Sequence, residues 1–314
     1  MPLSAKLCFV GAVHTRTPRS DASAGKQSFQ DKCVPKLELG NEGRTIELAS
    51  PRRCGSNDVM KTRPELSFPP SEELKLARLE SLFCEWHTQF VNNSSELMKH
   101  EPEDMVFDGF HPHYFRQEKK VLFIGWESRR LCGFHYIDEL SAAYRKGGKD
   151  IGGRHLNADR FHSRMLRITH GIMHGLPEWE SIPSASEIGD TVGLEGGLSF
   201  ATMNISKLSN KSNNPKADGC VMNVAHALST RDRNFIQEEL AILEPDIVIT
   251  MNLDEYMDSL GERTLIEIHK QAESYMLDCC GHRSLLINTW HFAARNKSDL
   301  AYYEPICDAI RRDQ

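Results

Sequence analysis

The sequence predicts an α/β domain, a three-layer sandwich in which a central, mostly parallel sheet lies between two layers of helices. Short, mainly apolar runs, such as residues 121–124 and 246–251, are typical of strands buried on both faces of a parallel sheet. These runs alternate with segments whose apolar residues recur at helical spacing. Hydrophobic residues make up 39% of the chain and charged residues 26%, as in globular proteins.

The chain divides into residues 1–70 and residues 71–314. The first part is rich in Ser, Pro, Gly and Arg and lacks periodicity, which predicts a flexible or poorly structured segment that can include a short strand at residues 45–48. It carries 11 Lys and Arg against 7 Asp and Glu, whereas the remainder carries 27 against 37. The acidic remainder excludes a protein that coats DNA by charge alone, but it allows a local basic cleft.

The helices of the folded part are predicted from capping residues and from apolar residues that recur at helical spacing. Ser71 precedes the first such helix as a capping residue, and Pro245 ends the helix predicted at residues 233–243. The predicted helices cover residues 71–90, 158–174, 233–243, 262–277 and 300–310. The predicted strands cover residues 121–124, 198–205, 246–251 and 284–288.

The composition also bears on the cellular compartment. The nine cysteines are scattered and form no C-x-x-C pair, so we expect a reducing compartment: the cytoplasm of a bacterium, or an organelle or the nucleus of a eukaryote. Basic residues without acids in the first 20 positions are also typical of a mitochondrial presequence. No apolar run reaches the length of a membrane helix, and we expect no membrane partner.

Polar residues follow the predicted strands at the edge where ligands bind in open α/β sheets. Glu127 follows the first strand, Asn204 and Lys207 follow the second, and His291 and Arg295 follow the fourth. A carboxylate can orient water and stabilise a cation-like sugar carbon, and an imidazole can stabilise negative charge on a departing base. An asparagine amide offers both a donor and an acceptor to a base edge. This set suits cleavage of a bond between a sugar and a base.

The same residues resemble the motifs of the uracil-DNA glycosylase superfamily. Residues 121–125 followed by Trp126-Glu127-Ser128 resemble its first motif, and His291-Phe292-Ala293-Ala294-Arg295 resembles its second. The resemblance runs from about Asp108 to the C-terminus and includes strand order. It implies that Glu127 positions the attacking water, that His291 stabilises the leaving base, and that Asn204 reads the base.

Departures from the family pattern bear on the substrate. Ser128 stands where the family usually has Pro, and Phe292-Ala293 stand where it has Pro-Ser. The bulky Trp126 lies near the base pocket, so the substrate need not be uracil. Relatives of this general kind include bacterial phage-defence glycosylases that attack modified bases.

The resemblance implies a monofunctional DNA glycosylase that hydrolyses the N-glycosidic bond of a flipped uracil-like or modified base and leaves an abasic site, in DNA repair or phage defence. The implied partner is single- or double-stranded DNA, no metal or organic cofactor is required, and the protein is expected to be a monomer. Phe134, or else Tyr136, would stack on the base, and Trp126 would line the base site. The residues implied in DNA contact are Arg129, Lys207, Phe292 and Arg295, with Phe292 or Arg295 as a wedge in the duplex.

Alternatives remain open for each residue and for the whole protein. Glu127 can be an ordinary helix-capping carboxylate, His291 a satisfied histidine and Asn204 a loop residue, while Phe134 fits a core. Lys207 and Arg295 can be solvated charges. His170 and His174 have the spacing of a zinc pair but lack a third ligand at a telling distance. The rival functions are a non-catalytic nucleic-acid-binding module on the same fold and a small-molecule nucleoside hydrolase.

Overall fold

A computed structural model describes residues 62–145, 149–151, 154–212, 217–270 and 272–313. The helices are α1 (Glu73–Asn92), α2 (Tyr136–Arg145), α3 (Arg160–Met173), α4 (Ala185–Gly189), α5 (Gly219–Thr230), α6 (Phe235–Leu243) and α7 (Leu300–Asp313). The strands are β1 (Gly109–Phe110), β2 (Val121–Arg129), β3 (Lys149–Ile151), β4 (Arg154–His155), β5 (Ala201–Asn210), β6 (Ile247–Met251), β7 (Glu262–His269), β8 (Ala272–Cys279) and β9 (His282–Thr289).

Seven of these strands form one sheet in the order β1-β5-β2-β6-β9-β8-β7. The four inner strands β5, β2, β6 and β9 run parallel to one another, while β1, β8 and β7 are each antiparallel to their inner neighbour. The general α/β prediction is confirmed, although the sheet is mixed rather than mostly parallel. From β2 the chain moves to β5 on one side and later to β6 on the other, so its direction switches at the carboxyl end of β2.

Helices cover both faces of the sheet. The alternation of side chains along β2 divides the apolar core: Leu122 and Ile124 join a cluster with α1, α5 and α6, whereas Val121 and Phe123 join a cluster with α2, α3, α4 and α7. Both clusters consist of large side chains that are almost entirely removed from water. The rigid core between the layers therefore supports the loops at the carboxyl ends of the inner strands.

Helix ends follow local chemistry. The side chain of Asp159 accepts a hydrogen bond from the His162 backbone at the start of α3, and Asp218 does the same for Val221 at the start of α5. Helix α6 ends at Glu244, whose left-handed φ of 46° turns the chain before Pro245.

The predicted helix at residues 262–277 is wrong. The segment forms the hairpin β7–β8, and β8 pairs antiparallel with β9. Thr264, Ile266 and Ile268 are β-branched residues that favour a strand, and this composition was the available signal. Helices α2, α4 and α5 were not predicted. The predicted second strand, residues 198–205, begins three residues later and ends five residues later, at Ala201–Asn210.

The predicted domain start at residue 71 is too late. Pro64 and Pro69 are buried, and the ring of Phe68 meets Phe110 edge-on at 5.4 Å between centroids. The backbone N–H of Glu65 donates to both carboxylate oxygens of Asp138 in α2, at 3.0 and 2.9 Å. Residues 62–70 therefore belong to the domain. The predicted strand at residues 45–48 lies outside the described residues.

Across the described residues, no helix combines the length and apolar character needed to cross a membrane.

Candidate functional site at the carboxyl rim

Glu127 lies within β2, beyond the last residue of β2 that pairs with β6 but still paired with β5. Its Oε1 accepts hydrogen bonds from Asn210 Nδ2 at 2.8 Å and from the Asp218 backbone N–H at 3.2 Å. Its Oε2 is buried and has no hydrogen-bond partner among the described residues. Burial raises the pKa of Glu127, although the bonds from Asn210 and Asp218 lower it in part. One carboxylate oxygen is thus held by the protein, and the other is buried without a partner among the described residues, so a water or ligand reaches it only when the surrounding side chains move.

His291 lies in the turn after β9, and the residue is exposed. The Ala293 backbone N–H lies 3.2 Å from Nδ1, so this nitrogen acts as acceptor and the proton of the neutral ring is on Nε2. The protein packed around the ring, including Phe161 at 5.5 Å between centroids, reduces its hydration and lowers the pKa of His291. With Nδ1 as an acceptor, the neutral imidazole carries its N–H donor at Nε2.

Glu127 lies in β2, and His291 lies in the turn two residues beyond the end of β9. Strand β6 separates β2 from β9 in the sheet, so these two strands are two inter-strand spacings, roughly 10 Å, apart. The side chains approach the rim from opposite faces: Glu127 is bound at the start of α5, whereas His291 packs against α3.

Trp126 occupies the strand end that lies between them. Its indole N–H reaches the backbone oxygens of Met251 at 2.9 Å and Asn252 at 3.0 Å, at the end of β6. The half-buried indole also meets the ring of Tyr256 at 6.1 Å. A molecule that spans Glu127 and His291 must therefore contact or displace Trp126.

Asn204 is opposite Gly125 in the β2–β5 register, one strand from Glu127. It lies within β5, six residues before the strand ends at Asn210, and not at the strand end as predicted. Only 7% of its surface is exposed. Asp108 accepts hydrogen bonds from the Asn204 backbone N–H at 2.7 Å and from its Nδ2 at 3.3 Å. The amide of Asn204 is thus held by a carboxylate that was not predicted as part of the site.

Lys207 is fully buried, and its predicted contact with DNA is wrong. Its Nζ lies 2.5 Å from Asp108 Oδ2 and 2.6 Å from Glu239 Oε2, and 4.9 Å from the centre of the Trp86 ring. The sequence did contain a signal of this burial. Side chains alternate between the two faces of a strand, and Lys207 shares a face with the apolar residues Met203 and Ile205.

Phe292 is also fully buried, so its predicted role as a wedge in the duplex is wrong. Its ring packs against Phe123 at 5.8 Å and Tyr302 at 5.4 Å. Arg129 and Arg295 are exposed, and their contacts with DNA stay predictions.

Phe134 is the aromatic residue that the loop after β2 presents to solvent, with 49% of its surface exposed. Tyr136, the other stacking candidate, is half-buried at the first position of α2. The ring of Phe134 is thus the more accessible of the two candidates, and the stacking role of either residue stays a prediction.

Several residues around Glu127 were not identified from the sequence. Asn210 and Asp218 fix one carboxylate oxygen, and the hydroxyl of Tyr256 donates to Asn223 at 3.0 Å. Burial raises the pKa of Tyr256, as do the nearby charges of Glu255 and Glu127. A polar residue at the end of a buried strand, as with Asn210, was the signal available in the sequence.

The described residues contain no group of three His, Cys, Asp or Glu side chains with the geometry of a metal site. The rings of His170 and His174 stack at 3.8 Å between centroids on the surface of α3.

No protein-family model matches the chain, and a search of curated proteins finds no match.

Proposed function

We propose that the protein is a DNA glycosylase that hydrolyses the bond between deoxyribose and a flipped, uracil-like or modified base. The observation that carries the proposal is that Glu127 lies in β2 and His291 just beyond β9, at the carboxyl side of the inner strands, with Asn204 on the neighbouring strand β5. The two strands β2 and β9 are roughly 10 Å apart, and a nucleoside that spans them requires that the indole of Trp126 move from the strand end between them. This arrangement follows the roles implied by the resemblance to the uracil-DNA glycosylase superfamily.

The carboxylate of Glu127 acts on the sugar side of the bond. Its second oxygen, Oε2, accepts a hydrogen bond from a water, and its charge offsets the positive charge that develops at the sugar carbon. As the N-glycosidic bond breaks, the bonding electrons leave with the base and the water oxygen bonds to the sugar carbon. The proton of that water passes to the carboxylate, whose raised pKa favours this transfer.

His291 acts on the base side of the bond. A neutral imidazole with its proton on Nε2 donates a hydrogen bond to an oxygen of the departing base and stabilises the negative charge there. Phe134 supplies a surface for stacking, and the indole of Trp126 leaves its position at the end of β6 to line the bound base.

A second candidate is a base-binding module without catalysis, and Trp126 is the observation that favours it. The indole is fixed by two backbone oxygens at the end of β6, between Glu127 and His291. If the indole stays there when a nucleotide binds, the carboxylate and the imidazole cannot act on the same bond.

Cleavage of labelled oligonucleotides tests the two candidates. Single- and double-stranded substrates would each contain one uracil, hypoxanthine, xanthine or modified cytosine, and abasic sites would be revealed by alkaline strand scission. We expect cleavage of at least one substrate, with a loss of about 10²-fold or more in Glu127→Gln and His291→Ala. Glu195→Gln, a surface variant remote from the rim, is the matched control and should cleave normally.

The outcomes separate the candidates. Binding of damaged oligonucleotides without cleavage by the unaltered protein would support the binding module and contradict the glycosylase. Cleavage that persists in both variants would exclude the assigned roles of Glu127 and His291.

A further inference from the structure

The C-terminal end of α3 carries two histidines that the proposed function does not use. His170 and His174 are four residues apart, so their side chains share one face of the helix. Their rings are nearly parallel, with 15° between the planes and 3.8 Å between the centroids. His170 is half-buried and His174 is exposed, so the pair borders solvent.

The pair lies apart from the carboxyl rim. Helix α3 contacts His291 through Phe161, at the beginning of the helix. The nine positions from Phe161 to His170 correspond to roughly 13 Å along the helix axis. Ile168 and Ile172, on the opposite face of α3, pack into the apolar core. The core therefore fixes the helix, while the two histidines face outward at its far end.

A hydrogen bond to the backbone sets the tautomer of His174. Its Nδ1 lies 2.7 Å from the backbone oxygen of His170. A carbonyl oxygen only accepts hydrogen bonds, so Nδ1 carries a hydrogen and Nε2 of the neutral ring has a free lone pair. Histidines that bind metals almost always donate their other ring N–H to a carbonyl, a carboxylate or water. His174 is thus held in the form that such a ligand requires.

The spacing of the two rings suits a shared ion. Nitrogen ligands that bind one metal at about 2.0–2.1 Å in neighbouring positions are roughly 3–3.4 Å apart. Rings stacked at 3.8 Å reach this separation by a small rotation of the side chains, without a change in the helix. Burial lowers the pKa of His170, and the charge of His174 lowers it further, which favours the neutral ring that binds metals.

Water would supply the other ligands of such an ion. No set of three His, Cys, Asp or Glu side chains suited to a metal occurs in the part of the chain that the structure describes. Arg167, one turn before His170, stacks on the ring of Trp179 at 3.8 Å and donates to its backbone oxygen. Imidazole ligands suit copper, nickel and zinc, whereas Mg²⁺ and Ca²⁺ prefer oxygen ligands.

We propose that His170 and His174 form a two-histidine chelate on α3 for a divalent transition-metal ion such as Cu²⁺, Ni²⁺ or Zn²⁺, with water completing its coordination. The ion bridges the last turn of the helix and leaves positions open to solvent. Cu²⁺ binds most tightly, in the usual order for divalent metals. The site goes beyond the proposed function, whose reaction at Glu127 and His291 does not use it.

Titration of the full chain with Ni²⁺, followed in ¹⁵N–¹H spectra, tests the site. Ni²⁺ is paramagnetic, so amide signals close to the bound ion lose intensity. The exposed thiols of Cys84, Cys220 and Cys280 would first be blocked with N-ethylmaleimide, because they compete for the metal. We expect the signals of residues 169–176 to weaken before all others, and Mg²⁺ at the same concentration to have no effect.

Single substitutions distinguish a chelate from two separate histidines. His170→Gln and His174→Gln should each lower the affinity for Ni²⁺ at this turn about tenfold or more, because the remaining ring binds alone. Two independent sites would instead keep their affinity when the other histidine is removed, and that result would overturn the proposal. His155→Gln is the matched control, since His155 is an exposed histidine near the other end of α3, and it should leave the affinity unchanged.

Thermal unfolding gives a second readout. The chelate requires the folded helix, so Ni²⁺ should raise the Tm of the unaltered protein and of His155→Gln more than that of His170→Gln or His174→Gln. Both substituted positions border solvent, and the unperturbed signals of the rest of the domain verify that the variants fold. Signal loss that is not centred on residues 169–176, or that persists unchanged in both variants, would exclude the site.

Discussion

The two ends of the carboxyl rim hold their polar side chains by different physical means. On the β5 side, Asn204 is fixed by the carboxylate of Asp108, behind which lies the buried ammonium of Lys207. On the β9 side, His291 is exposed, and the turn that carries it is anchored by the buried ring of Phe292. A network of buried charges thus positions the side chain of Asn204, whereas apolar packing of Phe292 positions the turn that carries His291. The two ends should therefore respond differently to substitution and to pH.

The largest expected effect is on the β5 side. Lys207→Met removes the ammonium and leaves Asp108 and Glu239 as two buried carboxylates, which should lower the free energy of unfolding by about 3–5 kcal/mol. Urea denaturation followed by circular dichroism measures the change. Lys211→Met is the matched control, since this half-exposed lysine pairs with Asp104 near the surface and its loss should change stability by about 1 kcal/mol or less. Equal effects of the two substitutions would contradict the structural role of Lys207.

On the β9 side, Phe292→Ala should lower the free energy of unfolding by about 3 kcal/mol, because it leaves a cavity against Phe123 and Tyr302. The matched control is Phe134→Ala, which removes an exposed ring and should change stability by about 0.5 kcal/mol or less. Thermal unfolding of both variants is the measurement. If Phe134→Ala were the more destabilising, the assignment of Phe292 as the anchor would be wrong.

The smallest expected effect concerns pH and Glu127. The folded-state pKa of Glu127 is raised, so the folded protein binds this proton more tightly than the unfolded chain does. The resulting stabilisation is present below the unfolded pKa and is lost as pH rises through the folded pKa. Glu127→Gln should therefore gain stability relative to the unaltered protein as pH increases from about 4 to 7, near and above the ordinary range for Glu. Parallel stability curves for the two proteins in urea titrations across this range would contradict the buried state of the carboxylate.

The sequence was sufficient to predict the inner strands because their residues are buried on both faces and leave a continuous apolar signal. It failed for β7, where apolar and polar residues at edge positions also satisfy helical spacing. The β7–β8 hairpin is recognised only in the folded structure, where β8 pairs with β9. The apolar pattern of the sequence encodes neither this pairing nor the geometry of the turn between β7 and β8.

The sequence was sufficient to place two candidate residues in the fold, because Glu127 lies in the inner strand β2 and His291 in the turn after β9, while their roles stay predictions. The prediction failed for Lys207, because the direction of its side chain depends on Asp108 and Glu239, which lie 99 and 32 residues away in the chain. The lysine resembles a phosphate contact in sequence, whereas in the fold its two carboxylate neighbours neutralise it. Such long-range pairing has no local signature.

The packing of residues 62–70 has a consequence for truncation of the chain. Thr62 and Pro64 line a small cavity together with Asp108 and His135, and the Glu65 backbone is bonded to Asp138 of α2. A fragment that begins at Ser71 would open this cavity to solvent and remove a backbone donor of Asp138, so it should be less stable than a fragment that keeps residues 62–70.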